Sequence, residues 1–310
     1  MNIALKWMVL ISCVVFIPPL LIGLIRKTKA RLQGRIGASI CQPIFDLAKL
    51  FAKDELLSEI SNGMLRSASV VSASVAVLIA LSSPWLPGMP VLFHSDIFIF
   101  VYLFALLRFF TVLSALDTAS AFGAFAASRE VTIAVLVEPA VMLCFIALAV
   151  VAGTTDLSAI FAFTADNLSI YPGLWAMAGC GLYLASLVEL SRMPADDPTT
   201  HLELTMVHEA MIIENSGPNL ALVEYASALK MLILMGLSGQ CFLHATTAVL
   251  KLHHTIYSLG GLLALFVMVG FIAVIESTSV KLRWTKLPEF IAYAVTFGLL
   301  CAMYSLGTLR

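Results

Sequence analysis

Charged residues are scarce in this chain: Asp, Glu, Lys and Arg make up 12% of its 310 residues, whereas 60% are hydrophobic. An average soluble domain carries about 25% charged residues. This composition, with a mean hydropathy of +0.98, therefore excludes an ordinary water-soluble globular protein. The formal net charge of −1 provides no excess of basic residues, so nucleic acid is not an expected partner.

Motifs of catalysis and cofactor binding are also missing from the sequence. There is no Walker A loop, no G-x-G-x-x-G after a strand pattern, and no second His at zinc spacing after His208-Glu209. None of the six cysteines forms a C-x-x-C pair, the spacing typical of zinc and iron–sulfur sites. We therefore predict that this chain binds no metal and no redox cofactor, and that any electron carrier belongs to another subunit.

What is present is a series of about eight apolar stretches, each long enough to cross a hydrocarbon layer of about 30 Å. They lie at 3–25, 67–89, 95–116, 131–152, 172–190, 218–241, 255–276 and 288–307. The first is too long for a cleaved signal peptide and ends in a basic run, and the strict alternation of barrel strands is missing. The sequence predicts an all-α polytopic membrane protein, with residues 1–310 forming a single domain in the lipid bilayer.

Positive charge is concentrated on one side of these predicted spans. Thirteen of the 18 Lys and Arg residues lie in the loops 26–66, 117–130, 190–217 and 277–287, and three lie on the opposite side. Because cytoplasmic loops carry an excess of Lys and Arg, these loops are predicted to face the cytoplasm. Both termini would then lie on the periplasmic side of the cell inner (plasma) membrane, and soluble partners would dock on the cytoplasmic loops.

The first of these loops contains a helical pattern over residues 42–55 with one apolar and one charged face. The apolar face consists of Ile44, Leu47, Ala48 and Phe51. The charged face consists of Asp46, Lys49 and Lys53. Two interpretations are compatible with this pattern: an amphipathic helix lying along the membrane interface, or a surface helix that packs against the bundle.

A polar insert at 193–217 contains five acids and two histidines but no Lys or Arg. Carboxyls placed between membrane spans are typical of proteins that handle cations, most often protons. We predict that Asp196, His201, Glu203 and Glu214 belong to a proton path that begins in this insert. The alternative for Glu203 and Glu214 is that they are ordinary solvated loop acids.

The predicted spans themselves contain ionisable residues, which are costly in lipid and need partners or water. Arg108 is expected to pair with Glu138 or with an acid of the fifth or sixth span, unless it reaches the membrane surface. Pro139 is expected to disrupt the helix beside Glu138 and admit water. Glu224 and Lys230 are six residues apart, so we expect them on different helix faces. We predict that the proton path continues as a ladder of charges from Glu224 towards Arg108, Glu138 and Lys230. Glu189 and Glu276 lie near span ends and are expected at the membrane surface.

Several segments carry a family resemblance. They are RLQGRIG at 31–37, Gln42-Pro43, Asp46, Lys49-Leu50, 53–55, ADDPTTHLEL at 195–204, ENSG at 214–217, Glu224-Tyr225, and Arg129 followed by Glu138. In this order and spacing they resemble subunit 1 of respiratory complex I, the membrane subunit that forms the floor of the quinone pocket. The sequence departs from that family at 199–203, where Glu203 alone remains of a more acidic motif and His201 takes one carboxylate position.

The segments LDTASAF at 116–122 and ASRE at 127–130 look more like the membrane subunit of energy-converting [NiFe] hydrogenases and formate hydrogenlyase. This resemblance implies a non-redox subunit that docks a soluble arm and couples electron transfer to proton or Na⁺ translocation. The implied partners are hydrophilic iron–sulfur and hydrogenase-like subunits, which would hold the Fe–S clusters and possibly Ni–Fe, and antiporter-like membrane subunits. The residues expected at docking interfaces are Arg31, Arg35, Asp46, Lys49, Lys53, Asp117, Arg129 and Glu130.

Three other functions remain open from the sequence. One is the quinone-pocket subunit of a complex I-type NADH:quinone oxidoreductase. Another is a stand-alone ion transporter, although the internal repeats typical of transporters are not visible. The third is a passive membrane anchor, which would not need Arg108, Glu138, Glu224 and Lys230 in lipid.

Overall fold

The chain folds into a bundle of helices. A computed structural model describes residues 3–57, 61, 63–166, 171–196, 206–250 and 254–308. The helices are α1 (Ile3–Leu32), α2 (Gln42–Phe51), α3 (Met64–Ser82), α4 (Ile97–Asp117), α5 (Ala121–Ala152), α6 (Leu157–Asp166), α7 (Pro172–Glu189), α8 (His208–Ile212), α9 (Gly217–Leu250), α10 (His254–Thr278) and α11 (Leu287–Thr308). A 3₁₀ turn, Trp284–Lys286, precedes α11. The prediction of an all-α polytopic membrane protein is confirmed.

Seven helices of the described chain are long and apolar enough to cross a membrane: α1, α3, α4, α5, α9, α10 and α11. The predicted fifth span corresponds to α7, which is not among the seven. Its 18 residues rise about 27 Å. Tyr171, at its start, contacts Tyr304 of α11, and Arg192, just after its end, bonds Glu276 of α10. Thus α7 runs from one end of the bundle to the other, and the count of eight spans stays a prediction.

Two helices, α3 and α5, differ near a proline from what the sequence predicts. The second span was predicted to reach residue 89, but α3 ends at Ser82, because Pro84 follows and cannot continue the backbone hydrogen bonds. In contrast, Pro139 does not break α5, which is continuous from Ala121 to Ala152. The expectation of a disrupted helix beside Glu138 is therefore wrong: Pro139 removes one backbone donor while the flanking turns hold the helix.

The four polar loops meet at one end of the bundle, which we name the charged end. Glu276 at the end of α10 accepts a hydrogen bond from Lys29 of α1 at 3.3 Å and from Arg192 at 3.1 Å. Lys281 bonds Asp196, and so joins the α10–α11 loop to the insert. These contacts confirm that the loops share one end. Which side of the membrane that end faces stays a prediction.

The helix α2 lies at the charged end and is shorter than the predicted 42–55. It packs against α1 and α9 while Phe45 and Phe51 remain 65% and 51% exposed. The loop before it approaches α1 closely: a Cβ on Gly23 would lie 1.9 Å from the carbonyl oxygen of Ile40, so only glycine fits there. The helix therefore packs against the bundle and leaves an apolar face uncovered. That this face lies along the membrane interface stays a prediction.

The core lies around α9, which contacts α1, α3, α7 and α10. Its residues Leu229, Leu232, Ile233 and Met235 are fully buried. Around it, α5 and α11 form a second close pair in which Gly298 of α11 lies against Leu143 of α5. This arrangement brings the inner faces of α4, α5, α7 and α9 together at the level where the intramembrane charges lie.

The predicted orientation can be tested with a cysteine that the chain already has. Cys41 at the charged end is exposed, whereas the other five cysteines are buried or half-buried. We expect a membrane-impermeant maleimide to label Cys41 in inside-out vesicles and not in intact cells. Cys41→Ser should abolish that labelling. Labelling from the outside of intact cells would show that the charged end faces the periplasm.

Candidate functional site

Five ionisable side chains meet where α4, α5, α7 and α9 face one another, and we name them the charge cluster. The Arg108 guanidinium donates one hydrogen bond to Glu138 and another to Glu189. Its Nε lies 3.8 Å from Oε1 of Glu130. The Lys230 ammonium lies 2.7 Å from Oε1 of Glu189. Glu189 is therefore shared between the two cations.

The cluster is almost completely removed from solvent. Arg108, Glu130, Glu189 and Lys230 are each between 6% and 9% exposed, and only the Glu138 side chain, at 39%, reaches the outer surface of the bundle. Isolated charges would be very costly at such depth, whereas a mutually paired set is tolerated. The exposed part of Glu138 makes it the side chain through which the cluster reaches the lateral surface of the bundle.

Helix geometry explains how one arginine reaches two carboxyls of α5. Glu130 and Glu138 are eight residues apart, slightly more than two helical turns, so they lie on similar faces about 12 Å apart along the axis. The long Arg108 side chain comes from α4 between them. Glu189 is the last residue of α7 and approaches from the charged end.

Two small cavities border the cluster on opposite sides of Arg108. The first, of about 20 Å³, is lined by Glu130, Glu189, Lys230 and His208, and extends towards α8. This volume is enough for about one water molecule. The second, of about 30 Å³, is mostly apolar and extends from Glu138 and Glu189 towards Phe100. The cluster is therefore bordered by a polar cavity on the side of the charged end and by a mostly apolar cavity on the other side.

His208 is the residue of the insert that lines the first cavity beside the cluster. The pKa of its imidazole is lowered to about 4, mainly by burial; the nearby positive charges of Lys230 and Arg192 also lower the pKa, while Asp196 opposes them. The ring is therefore neutral at neutral pH. A neutral imidazole has one donor and one acceptor nitrogen, which suits it to pass a proton between the insert and the first cavity.

Asp196 fixes the base of the insert. It is 3% exposed, is paired with Lys281, and accepts a hydrogen bond from the backbone amide of Val207 at 3.0 Å. It therefore joins the two ends of the segment 197–205, which contains His201 and Glu203 and lies outside the described residues. Glu214 is exposed at the charged end. The roles of these four residues in a proton path stay predictions.

Glu224 does not join the charge cluster. It is half-buried and lies within electrostatic reach of Arg26, Asp46 and Glu209, on the side of α9 that faces α1 and α2. Lys230, six residues further along, points instead to Glu189. The expectation of different helix faces is thus met. The predicted ladder from Glu224 to Arg108 is not formed by direct ion pairs among the described residues.

The residues expected at docking interfaces divide into two groups. Arg31, Arg35, Lys49 and Lys53 are exposed at the charged end. Asp46 is partly covered and bonded to Gln42 at 3.0 Å and to Arg26 at 3.5 Å. These four basic side chains are therefore accessible to a partner. Their role in docking stays a prediction.

Three others have internal contacts. Glu130 is buried in the charge cluster, so its assignment to a docking surface is corrected. Asp117 accepts a hydrogen bond from the backbone amide of Leu65 at 3.1 Å, so it caps α3 from a neighbouring helix. The Arg129 guanidinium lies over the Phe125 ring, 3.9 Å from its centroid, and contacts Trp284 as well.

The sequence analysis named an acid of the fifth span as a possible partner of Arg108, and Glu189 is that acid, but it included neither Glu189 nor His208 among the site residues. Glu189 lies at the end of an apolar span, where a charged residue usually lies at the membrane surface. Its position in the sequence therefore did not distinguish a buried site residue from a surface residue. His208 was considered only for a zinc motif. No group of three potential metal ligands comes together among the residues that the structure describes. The expected absence of a metal stays a prediction.

Comparison with known proteins agrees with this fold. A family model described as NADH dehydrogenase matches residues 5–306. Hydrogenase-4 component C of Escherichia coli (strain K12) is 34% identical over 227 residues, which cover 73% of this chain and 70% of the relative. Formate hydrogenlyase subunit 4 of the same organism is 32% identical over 224 residues, 71% of each chain.

A solved structure supports the fold alone. A chain of the membrane-bound sulfane sulfur reductase, an archaeal respiratory membrane complex, superposes with a TM-score of 0.79 at 15% identity, covering 98% of this chain and 100% of that one. The fold and the buried cluster define a polytopic membrane protein with an internal charge network. The chain belongs to the NADH dehydrogenase family, and the resemblance to complex I subunit 1 and to hydrogenase membrane subunits is confirmed.

The lowered pKa of His208 predicts a pH-dependent stability. The folded pKa of about 4 lies below the unfolded value of about 6.5, so this group stabilises the fold above pH 6.5. That stability is lost as the pH falls towards 4, because the unfolded chain takes up a proton first. We expect the melting temperature of the purified protein to fall from pH 7 to pH 5 by several degrees more than that of His208→Gln. Equal shifts in both proteins would contradict the burial of a neutral ring.

Proposed function

We propose that this chain is the membrane subunit of an energy-converting [NiFe] hydrogenase or formate hydrogenlyase-type complex. It docks a soluble redox arm at the charged end and couples electron transfer to proton translocation through the charge cluster. The names and coverage of the two Escherichia coli relatives support this class of complex. In this proposal the chain holds no redox centre. Fe–S clusters and Ni–Fe belong to the soluble partners.

The observation that carries the mechanism is the unequal number of charges in the cluster. Three carboxyls, on Glu130, Glu138 and Glu189, face two cations, on Arg108 and Lys230. With all five ionised, the buried site would hold one excess negative charge, which is unfavourable in a low dielectric. One proton on the carboxyls removes that excess. The cluster is therefore suited to hold one exchangeable proton, shared as a coupled group.

The surroundings give this proton two directions of exchange. Towards the charged end lies the cavity that His208 lines, next to the base of the insert. Towards the lateral surface lies Glu138, whose exposed carboxyl would meet an antiporter-like membrane subunit packed against α5. A redox change in a docked partner would alter the electrostatic potential at the charged end. That change would shift the proton occupancy of the nearest coupled carboxyls.

Docking at the charged end has its own structural support. Arg31, Arg35, Lys49 and Lys53 are exposed there, and they provide positive charge beside the uncovered apolar face of α2. Mixed apolar and basic surfaces are typical of protein interfaces, where Arg is enriched and buried apolar area supplies affinity. Soluble iron–sulfur and hydrogenase-like subunits are the partners that we propose for this surface.

The test replaces the excess carboxyl with an uncharged amide of similar size and shape. Glu138→Gln or Glu130→Gln leaves two carboxyls for two cations, so the cluster is neutral without a proton. We expect the complex to assemble and evolve hydrogen, while proton translocation into inside-out vesicles falls by about tenfold, the effect of a coupling change of about 1.4 kcal/mol. Hydrogen evolution and vesicle acidification would be measured side by side.

Glu289→Gln is the matched control, because Glu289 is an exposed acid of α11 outside the cluster. It should leave both activities unchanged. If Glu130→Gln and Glu138→Gln both translocate protons as the unmodified complex does, the cluster does not carry the proton. If the purified complex evolves no hydrogen, the assignment to the hydrogenase class is wrong.

A further inference from the structure

One buried donor of the Arg108 guanidinium is left over by the ion pairs of the charge cluster. The two terminal nitrogens bond Glu138 and Glu189, whereas Nε has no hydrogen-bond partner among the described residues. The Arg108 side chain is 7% exposed, so bulk solvent does not supply a partner for Nε. Because buried polar groups in native proteins are almost always hydrogen-bonded, this donor calls for a ligand with an acceptor atom.

Glu130 lies close to this donor without bonding it directly. Its Oε1 is 3.8 Å from Arg108 Nε, which is beyond the range of about 2.7–3.2 Å for an N–H···O hydrogen bond. At such a separation two polar groups can be joined by one water molecule. An oxygen atom about 2.9 Å from both Nε and Oε1 would complete two ordinary hydrogen bonds.

The first cavity, which His208 lines, lies on the side of this gap. Glu130 is among the residues that line the first cavity and not among those that line the second, whereas Arg108 borders both. The volume of about 20 Å³ exceeds the roughly 10–15 Å³ that one water molecule requires. Ser227 and Lys230 also line the cavity. A water molecule there would therefore find the two to four polar partners that hold a buried water.

The lining favours a neutral ligand over an ion. A metal cation would meet the positive charges of Arg108 and Lys230 and would offer no acceptor atom to Nε. An anion would meet the carboxyls of Glu130 and Glu189. Water can accept a hydrogen bond from Nε and donate one to Glu130 at the same time, without adding charge to the cluster.

We propose that this cavity binds one water molecule, which joins Arg108 Nε to Glu130 and relays the translocated proton from His208 to the carboxyls. The relay rests on the proposed function, whereas the water itself rests only on the gap and the cavity. In the relay, the N–H proton of the imidazole passes to the water oxygen while a water proton passes to a Glu130 oxygen. The second ring nitrogen takes up a proton from the insert, so one proton moves inwards and the water is restored.

The water can be tested by electron cryo-microscopy of the whole complex, at a resolution that shows ordered water. We expect one peak within hydrogen-bonding distance, about 2.7–3.2 Å, of both Arg108 Nε and Glu130 Oε1. The peak should be equally strong in sodium chloride and in choline chloride buffer. Loss of the peak in choline would show a bound sodium ion and overturn the proposal. A direct bond between Nε and Glu130, with no peak in the cavity, would overturn it as well.

The relay can be tested by filling the cavity. Ala226 of α9 is 2% exposed and lines the cavity, and Ala226→Val adds two carbon atoms to that wall. We expect the peak to disappear and proton translocation to fall about tenfold at unchanged hydrogen evolution, because the proton must then cross the gap without a carrier. Ala292→Val makes the same change at an exposed position of α11 and should alter neither activity.

Two results decide the relay separately from the proposed function. If Ala226→Val has lost the peak and translocates protons as the unmodified complex does, the water is not on the proton path. If this variant does not assemble, Thr111→Ile narrows the same cavity from α4 and replaces it in both measurements. The peak in the unmodified complex does not depend on proton translocation, so the water can be present even where the proposed function fails.

Discussion

The buried guanidinium of Arg108 is the constraint on which the arrangement of the bundle depends. Arginine cannot lose its proton in a protein, so burial forces carboxyls from other helices to approach it. Glu130 and Glu138 come from α5, and Glu189 from α7, and Glu189 in turn holds Lys230 of α9. Removing one partner of such a pair typically costs about 3–5 kcal/mol. The charges thus fix the relative rotation of four helices that apolar packing alone would define less strictly.

The same cluster connects two surfaces of different character. Its polar cavity leads to His208 and the charged end, where Asp196 and Glu276 join the loops to one another. Its other side leads to Glu138 and the lateral face of α5. In the proposed function, the paired charges in the interior would carry an effect at the loops to the lateral face through coupled titration, without a large motion of the helices. Electrostatic coupling of this kind is consistent with a subunit that lies between a soluble arm and other membrane subunits.

The sequence predicted the helical class and most spans, because long apolar runs admit no other structure in lipid. It also predicted that Arg108 would pair with Glu138 or with an acid of the fifth or sixth span. It was wrong at three places. Pro139 was expected to break α5, yet the helix is continuous through it. Glu130 was placed at a surface, although it is buried beside Arg108. The α3 boundary was wrong because hydropathy continues past Pro84 while backbone hydrogen bonding does not.

The composition and the positions of the charged residues along the chain by themselves determined that this chain crosses a membrane, that its polar loops share one end, and that its intramembrane charges need partners. Only the tertiary structure decided which charges meet. Residue spacing gives the angle of a side chain about its own helix, but not the rotation of the neighbouring helix that it faces. For this reason Glu189, at the end of an apolar span, joined Arg108 and Lys230, whereas Glu224, deeper within a span, turned towards α1 and α2.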